Sequence, residues 1–140
     1  SPTMFPDLQN TNVNGKNAYE LINDHAWVEK EYLPRIQQRG AEIIKARGAS
    51  SASSAARAAC DTVKTVEHTT RSGDIFNAAI LSDGSYGVPE GIFSGFPLIS
   101  DGSGSVEIVK DFSLSDFAKS RIQISVDELL EEKNLVKDLI

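Results

Sequence analysis

The hydroxyl groups of Ser50, Ser51, Ser53 and Ser54 crowd the corner that follows Gly48, where a second helical pattern begins. The first N–H groups of a helix have no partner inside it and lie at the positive end of its dipole. Hydroxyls placed there suit a carboxylate or the polar edge of a cofactor. Capping of the helix by Ser50 or Ser51 is the structural alternative, and residue types alone leave both open. The preceding helix carries a second oddity: Gly40 falls on an apolar stripe, where glycine costs about 1 kcal/mol relative to alanine. The missing side group makes room either for another helix or for a ligand.

Other reactive side chains are sparse. His25 and His68 fall near the start of one helix and the end of the other, where capping, dipole and surface roles compete with any role as a base. Arg39, Arg47 and Arg57 would attract a dicarboxylate only weakly. The sequence has no G-x-G-x-x-G, P-loop, H-E-x-x-H, G-x-S-x-G or C-x-x-C, so it holds no complete catalytic, metal or dinucleotide motif. Asp83-Gly84-Ser85-Tyr86-Gly87 lacks the later carboxylates of a cation loop and reads as a strand connection.

The elements that must position these residues emerge from periodicity. Asn23 or Asp24 can cap a helix running to about Arg47, with Val28, Tyr32, Leu33, Ile36, Gly40, Ile43 and Ile44 on one face and a kink expected near Pro34. Gly48 stops it. From the serine corner to about His68, Ala52, Ala55, Ala56, Ala59, Cys60, Val63 and Val66 share a face of small residues that another helix or a subunit can approach closely. Upstream, Asn14-Gly15 predicts a short hairpin within Thr11 to Ala18.

Downstream the period becomes strand-like. Ile75 to Ser82, Gly91 to Ser100 and Val106 to Lys110 are separated by turn residues, which predicts an antiparallel meander. Pro97 argues against a central, fully paired place for the second strand. A helical turn near Ser115 to Ser120 precedes a separate C-terminal helix, opened by a capping box at Ser125 and Glu128. The expected class is α+β, an antiparallel sheet packed against long helices, in one domain covering 1–140.

Composition narrows the partners. A net charge of -6, from 20 acidic against 14 basic residues, with no basic block, argues against nucleic acid and anionic membranes. No apolar run approaches the roughly 18 residues that span a bilayer. Cys60, the single cysteine, excludes a disulfide or zinc cluster within one chain and favours a reducing, cytoplasmic setting. Met4 and Phe5 come soon after an abrupt start without an initiator methionine, as in a chain that begins inside a longer protein; a trimmed tag or natural processing is the alternative.

Five motifs in order carry a resemblance: Gln37-Gln38-Arg39-Gly40-Ala41 with Ile44-Lys45-Ala46-Arg47; Ser50-Ser51-Ala52-x-Ser54-Ala55-Ala56; Ser82 to Pro89; Phe96-Pro97; and Glu128-Leu129-x-Glu131-Glu132-Lys133. Over essentially the whole sequence they resemble the C-terminal domain of malate dehydrogenase, in the cytosolic-type branch of the lactate/malate dehydrogenase family. The resemblance implies the substrate half of a two-domain enzyme that moves hydride between NAD(H) and the malate and oxaloacetate pair. Ser1-Pro2-Thr3-x-x-Pro6-Asp7 matches the segment just after the family's catalytic histidine, which would then stand immediately before Ser1. The dinucleotide-binding half and the arginines that clamp the substrate would lie upstream.

Carried onto this sequence, the resemblance makes Gly40 and Ser50 substrate-binding, Ser54 cofactor-binding near the nicotinamide, and helix 50–66 part of a homodimer contact. It implies that the 140-residue chain alone is inactive. Pro34 and Ser53 depart from the commoner family pattern. The rival readings are a catalytically silent interaction domain, or a related 2-hydroxyacid dehydrogenase acting on lactate or using NADP.

Overall fold

Asn14 and Gly15 have φ values of 52° and 80°, the two left-handed residues that a type I′ hairpin turn requires. They join β1 (Asn12–Val13) to β2 (Lys16–Asn17), with Val13 paired to Lys16. This computed structural model describes residues Thr3 to Leu139. They divide into two compact units, 3–51 with 114–121, and 52–113 with 122–139.

In the first unit, Asn17 ends the hairpin and starts a helix at once. Its Oδ1 accepts from the N–H groups of Tyr19 (2.9 Å) and Glu20 (3.1 Å), capping α1 (Ala18–Ile22). Periodicity does not predict this short helix. Asp24 Oδ1 then accepts from Trp27 N (2.9 Å) and caps α2 (His25–Trp27).

The expected kink near Pro34 takes the form of a π turn over Val28–Tyr32, after which α3 (Leu33–Arg47) begins. Proline has no N–H, and its ring would press on the carbonyl four residues back, that of Lys30. The Leu33 N–H instead bonds Val28 O, five residues back, and the widened turn relieves the clash while the helix continues. Gly48, at φ 71°, ends α3 with its N–H on Ile44 O at 2.8 Å. Ala18, Val28, Leu33 and Ala118 are buried in this unit, and Phe5 meets Phe117 edge to face at 6.2 Å.

The second unit opens with α4 (Ser53–Val66) and continues into the predicted meander of β3 (Phe76–Leu81), β4 (Phe93–Ser100) and β5 (Val106–Ile108). The strands are antiparallel in the order β3-β4-β5, so β4 is central despite Pro97. In an antiparallel strand a residue's N–H and C=O point to the same side. Pro97 O faces β5 and accepts from Val109 N (2.9 Å), just past the end of that strand. The absent N–H therefore falls beside Val109, just past β5, where the Val109 carbonyl accepts from the Tyr86 hydroxyl instead.

One face of the sheet holds the core. Phe96 and Leu98 are 1% and 0% exposed and cluster with Val88, Ile92 and Val126, the last from the C-terminal helix. Burying each of the two largest is worth about 2–3 kcal/mol. That helix, α5 (Asp116–Leu135), is continuous, which corrects the expectation of two pieces. Ser115 Oγ accepts from Ala118 N (3.1 Å) at its start, while Ser125 and Glu128 lie mid-helix. The apolar positions Ile122, Val126 and Leu129 keep helical spacing straight through the expected cap.

The tetrapeptide Ser-Asp-Gly-Ser occurs twice, at 82–85 and 100–103, and folds the same way both times. Ser82 Oγ donates to Val88 O (2.8 Å) and accepts from Gly84 N (3.1 Å). Ser100 Oγ donates to Val66 O (2.6 Å) and accepts from Gly102 N (3.0 Å). Both serines are buried, and each aspartate takes the N–H of the second serine.

Gly102 has φ 84°, and a Cβ there would sit 2.9 Å from the backbone nitrogen of Thr69; Gly104 has φ 88° with open space around it. Gly104→Ala is expected to cost the left-handed penalty alone, about 1–2 kcal/mol. Gly102→Ala should cost clearly more, because backbone has to move as well. Denaturant midpoints of the two variants check the ranking, and equal losses would show that the Thr69 contact is soft.

Candidate functional site

Gly40 lies in the middle of α3, which rises about 20 Å from Leu33 to Arg47 at 1.5 Å per residue. The buried apolar cluster of the first unit takes in only the start of this helix, at Leu33. Ile36 and Ile43 are half-buried, whereas Gly40 and Ile44 are exposed. A Cβ added at Gly40 would meet nothing within 4 Å. The expectation of a buried stripe through Gly40 is thus corrected: none of the described residues packs against this glycine, and the space it leaves faces outward.

The serine corner also differs from its capping interpretation. α4 begins at Ser53, its N-cap position is Ala52, and no side-group hydrogen bond caps it. Neither Ser50 nor Ser51 serves as the cap. Ser50 and Ser54 are both exposed, Ser54 in the first turn of α4. The small-residue face is likewise uncovered as far as its last residue, the half-buried Val66: α4 has no buried residue, Cys60 is exposed, and Val63 is 61% exposed.

Gln37 is a contact that sequence reasoning misses. Its Nε2 donates to the backbone carbonyl of Met4 at 2.8 Å, tying the N-terminal segment to α3 about one turn before Gly40. A glutamine in a helix gives no periodic signal, and the bond spans 33 residues, so local patterns could not reveal it.

The His25 ring stacks on Tyr19 at 4.1 Å, and His68 Nδ1 lies 2.6 Å from Lys64 O at the end of α4. Arg39 pairs with Glu42 (3.1 Å) and Arg57 with Asp61 (2.7 Å) along their own helices. Among the described residues, no group of three or more His, Cys, Asp or Glu could hold a metal ion, and no helix is long and apolar enough to cross a membrane.

Perturbed titration belongs to the turns. Asp83 is lowered to about 2 by the Ser85 hydroxyl first and then by Lys110, whose Nζ is 3.0 Å from Oδ2. The Ser103 hydroxyl and N–H lower Asp101 in the same way. Burial raises Tyr86; its hydroxyl donates to the Val109 carbonyl, and its ring lies 6.4 Å from Phe96. The Asp83 to Gly87 segment holds a 3-10 turn between β3 and β4, a strand connection as expected.

A family model described as the lactate/malate dehydrogenase, alpha/beta C-terminal domain matches residues 1–140. The protein therefore belongs to the lactate/malate dehydrogenase family, as its C-terminal domain. It is 47% identical over 139 residues to a malate dehydrogenase of Rubrobacter xylanophilus, covering 99% of this chain and 42% of that protein. The malate dehydrogenase of Naegleria fowleri superposes with a TM-score of 0.89 at 40% identity, over 100% of this chain and 42% of the other. A Trichomonas vaginalis lactate dehydrogenase in complex with NADH and oxamate superposes with a TM-score of 0.87 at 25% identity, over 98% of this chain and 43% of that one. The 140 residues span less than half the length of each of these relatives.

The Asp83 turn makes a pH prediction. A carboxylate whose pKa falls on folding contributes stability above its unfolded value, and that stability is lost as pH falls through the folded value. For Asp83 the window runs from 3.8 down to about 2. Thermal midpoints of the wild type and Asp83→Asn should converge as pH falls through this window and stay separated by a constant gap above it. A gap that is the same at every pH would remove the ionised turn from the account.

Proposed function

We propose that this chain is the substrate-binding half of an NAD-dependent malate dehydrogenase, interconverting malate and oxaloacetate in the complete protein. The observation that carries the reading is the Gln37 bond to the Met4 carbonyl (2.8 Å). It ties Met4, within the segment Thr3 to Asp7 that matches the stretch just after the family's catalytic histidine, to the helix that bears Gly40. Ser1 and Pro2 of that motif lie outside the described residues. The histidine belongs immediately before Ser1, and the dinucleotide-binding half upstream of it. The identities of 47% and 40% to two malate dehydrogenases support malate as the substrate.

In this reading the domain shapes and orients. Gly40 leaves open the space a dicarboxylate fills, which explains an outward-facing glycine in mid-helix. The exposed Ser50 hydroxyl donates to a substrate carboxylate, a bond worth about 1 kcal/mol. Ser54, exposed in an uncapped first turn, fits the polar edge of the nicotinamide; when bound, NAD supplies the hydride acceptor. The small-residue face of 50–66 is the contact with a second subunit, and the protein works in the cytoplasm.

Two expected outcomes test the proposal in the complete enzyme. Gly40→Leu should raise the Michaelis constant for oxaloacetate at least roughly tenfold or abolish turnover, whereas Ser50→Ala should cost about fivefold in kcat/KM, the value of one hydrogen bond. Wild-type kinetics in both would place neither residue at substrate. Ala59→Arg, which puts an unpaired charge into a close contact, should dissociate the dimer in sedimentation. An unchanged dimer would send the interface elsewhere.

A further inference from the structure

The turn between β1 and β2 holds the one Asn-Gly pair in the sequence, and both residues are exposed. Such a pair has an intrinsic reaction. The Gly15 nitrogen, once it loses its proton, can attack Cγ of Asn14; the new N–C bond closes a five-membered succinimide as the Cγ–Nδ2 bond of the carboxamide breaks and ammonia leaves. Water then opens either carbonyl, giving aspartate or isoaspartate. The net change is one water consumed and one ammonia released. Glycine permits it because no side group shields the nitrogen, and even a Cβ at Gly15 would meet nothing within 4 Å.

In the folded turn that nitrogen is engaged. Gly15 N–H donates to Asn12 Oδ1 at 2.7 Å, so the proton that must leave is held by an acceptor. The backbone is held too, with Asn14 at φ 52° and Gly15 at φ 80° in a two-residue turn. We infer that Asn14 is a site of spontaneous deamidation in this protein and that the Asn12 carboxamide, by accepting the Gly15 N–H, sets its rate. The reaction's consequence is local. Isoaspartate lengthens the backbone inside the turn by one carbon, and the pairs Val13 with Lys16 and Asn12 with Asn17 cannot both survive that. Asn17 is also the cap of α1, so damage at Asn14 is passed to the helix.

The test follows residue 14 in the complete protein held at mildly alkaline pH, by peptide mass spectrometry for the replacement of NH2 by OH, with chromatographic separation of aspartate from isoaspartate. Asn12→Ala should deamidate at Asn14 about three- to tenfold faster than wild type, the range one hydrogen bond commands. Asn12→Asp keeps an acceptor oxygen and should stay at or below the wild-type rate. In denaturing urea all three should react at the same rate, which separates the latch from a sequence effect. Equal folded-state rates for wild type and Asn12→Ala, equal acceleration in Asn12→Asp, or faster deamidation at another asparagine would each overturn the inference.

Discussion

The second unit depends on what one buried hydroxyl holds together. Ser100 Oγ donates to Val66 O and accepts from Gly102 N, while the Ser100 backbone exchanges bonds with Thr70 through its N–H (2.7 Å to Thr70 Oγ) and its carbonyl (2.9 Å from Thr70 N). Because α4 buries none of its residues, hydrophobic packing is not what fastens it to the sheet. The fastening is polar and concentrated at its C-terminal end, where Val66, Thr69 and Thr70 meet the end of the central strand. A bond among groups withdrawn from water is stronger than the same bond at the surface, and more costly to leave half made. The close approach of Gly102 to Thr69 belongs to the same joint.

A comparable economy governs the first unit, where short polar residues decide the path of the backbone. Asn17 turns a strand into a helix, Asn23 ends that helix in a left-handed conformation, and Asp24 starts the next. Asn17 and Asp24 each supply an acceptor that the backbone lacks at that point. Pro34 acts by the opposite means: it removes a bond and leaves a wider π turn just before itself. The outcome is a long, outward-facing α3 whose first turns are anchored and whose later turns carry Gly40 into the open.

Patterns of local origin are legible in the sequence. The hairpin at Asn14-Gly15, the stop at Gly48 and the three-stranded meander all arise from turn residues and alternation, and the structure has them. Inferences that need partners distant along the backbone fail. Pro97 reads as unfit for a central strand, since sequence does not tell that β5 ends beside it. The Ser125 and Glu128 spacing mimics a cap, yet the core contacts of Ile122, Val126 and Leu129 carry the helix through it. Periodicity puts Gly40 on a buried stripe because it marks which residues share a face, not whether anything covers that face. The repeated Ser-Asp-Gly-Ser is in plain view as a string, but its meaning, a buried serine bridging two backbone segments, is a property of the fold.

The exposure of α4 has a consequence for how the protein would meet a partner. An isolated helix of this length is marginal in water, and one without buried residues draws little help from packing. Ala55, Ala56, Ala58 and Ala59, the strongest of helix formers, together with the anchorage at Val66, keep it wound without a neighbour. A surface already ordered when contact is made loses less conformational entropy on association than one that must fold upon docking. Ala55, Ala56 and Ala59 make the face small and also rigid in advance, so one choice of residue would serve both the closeness of a fit and the readiness to form it.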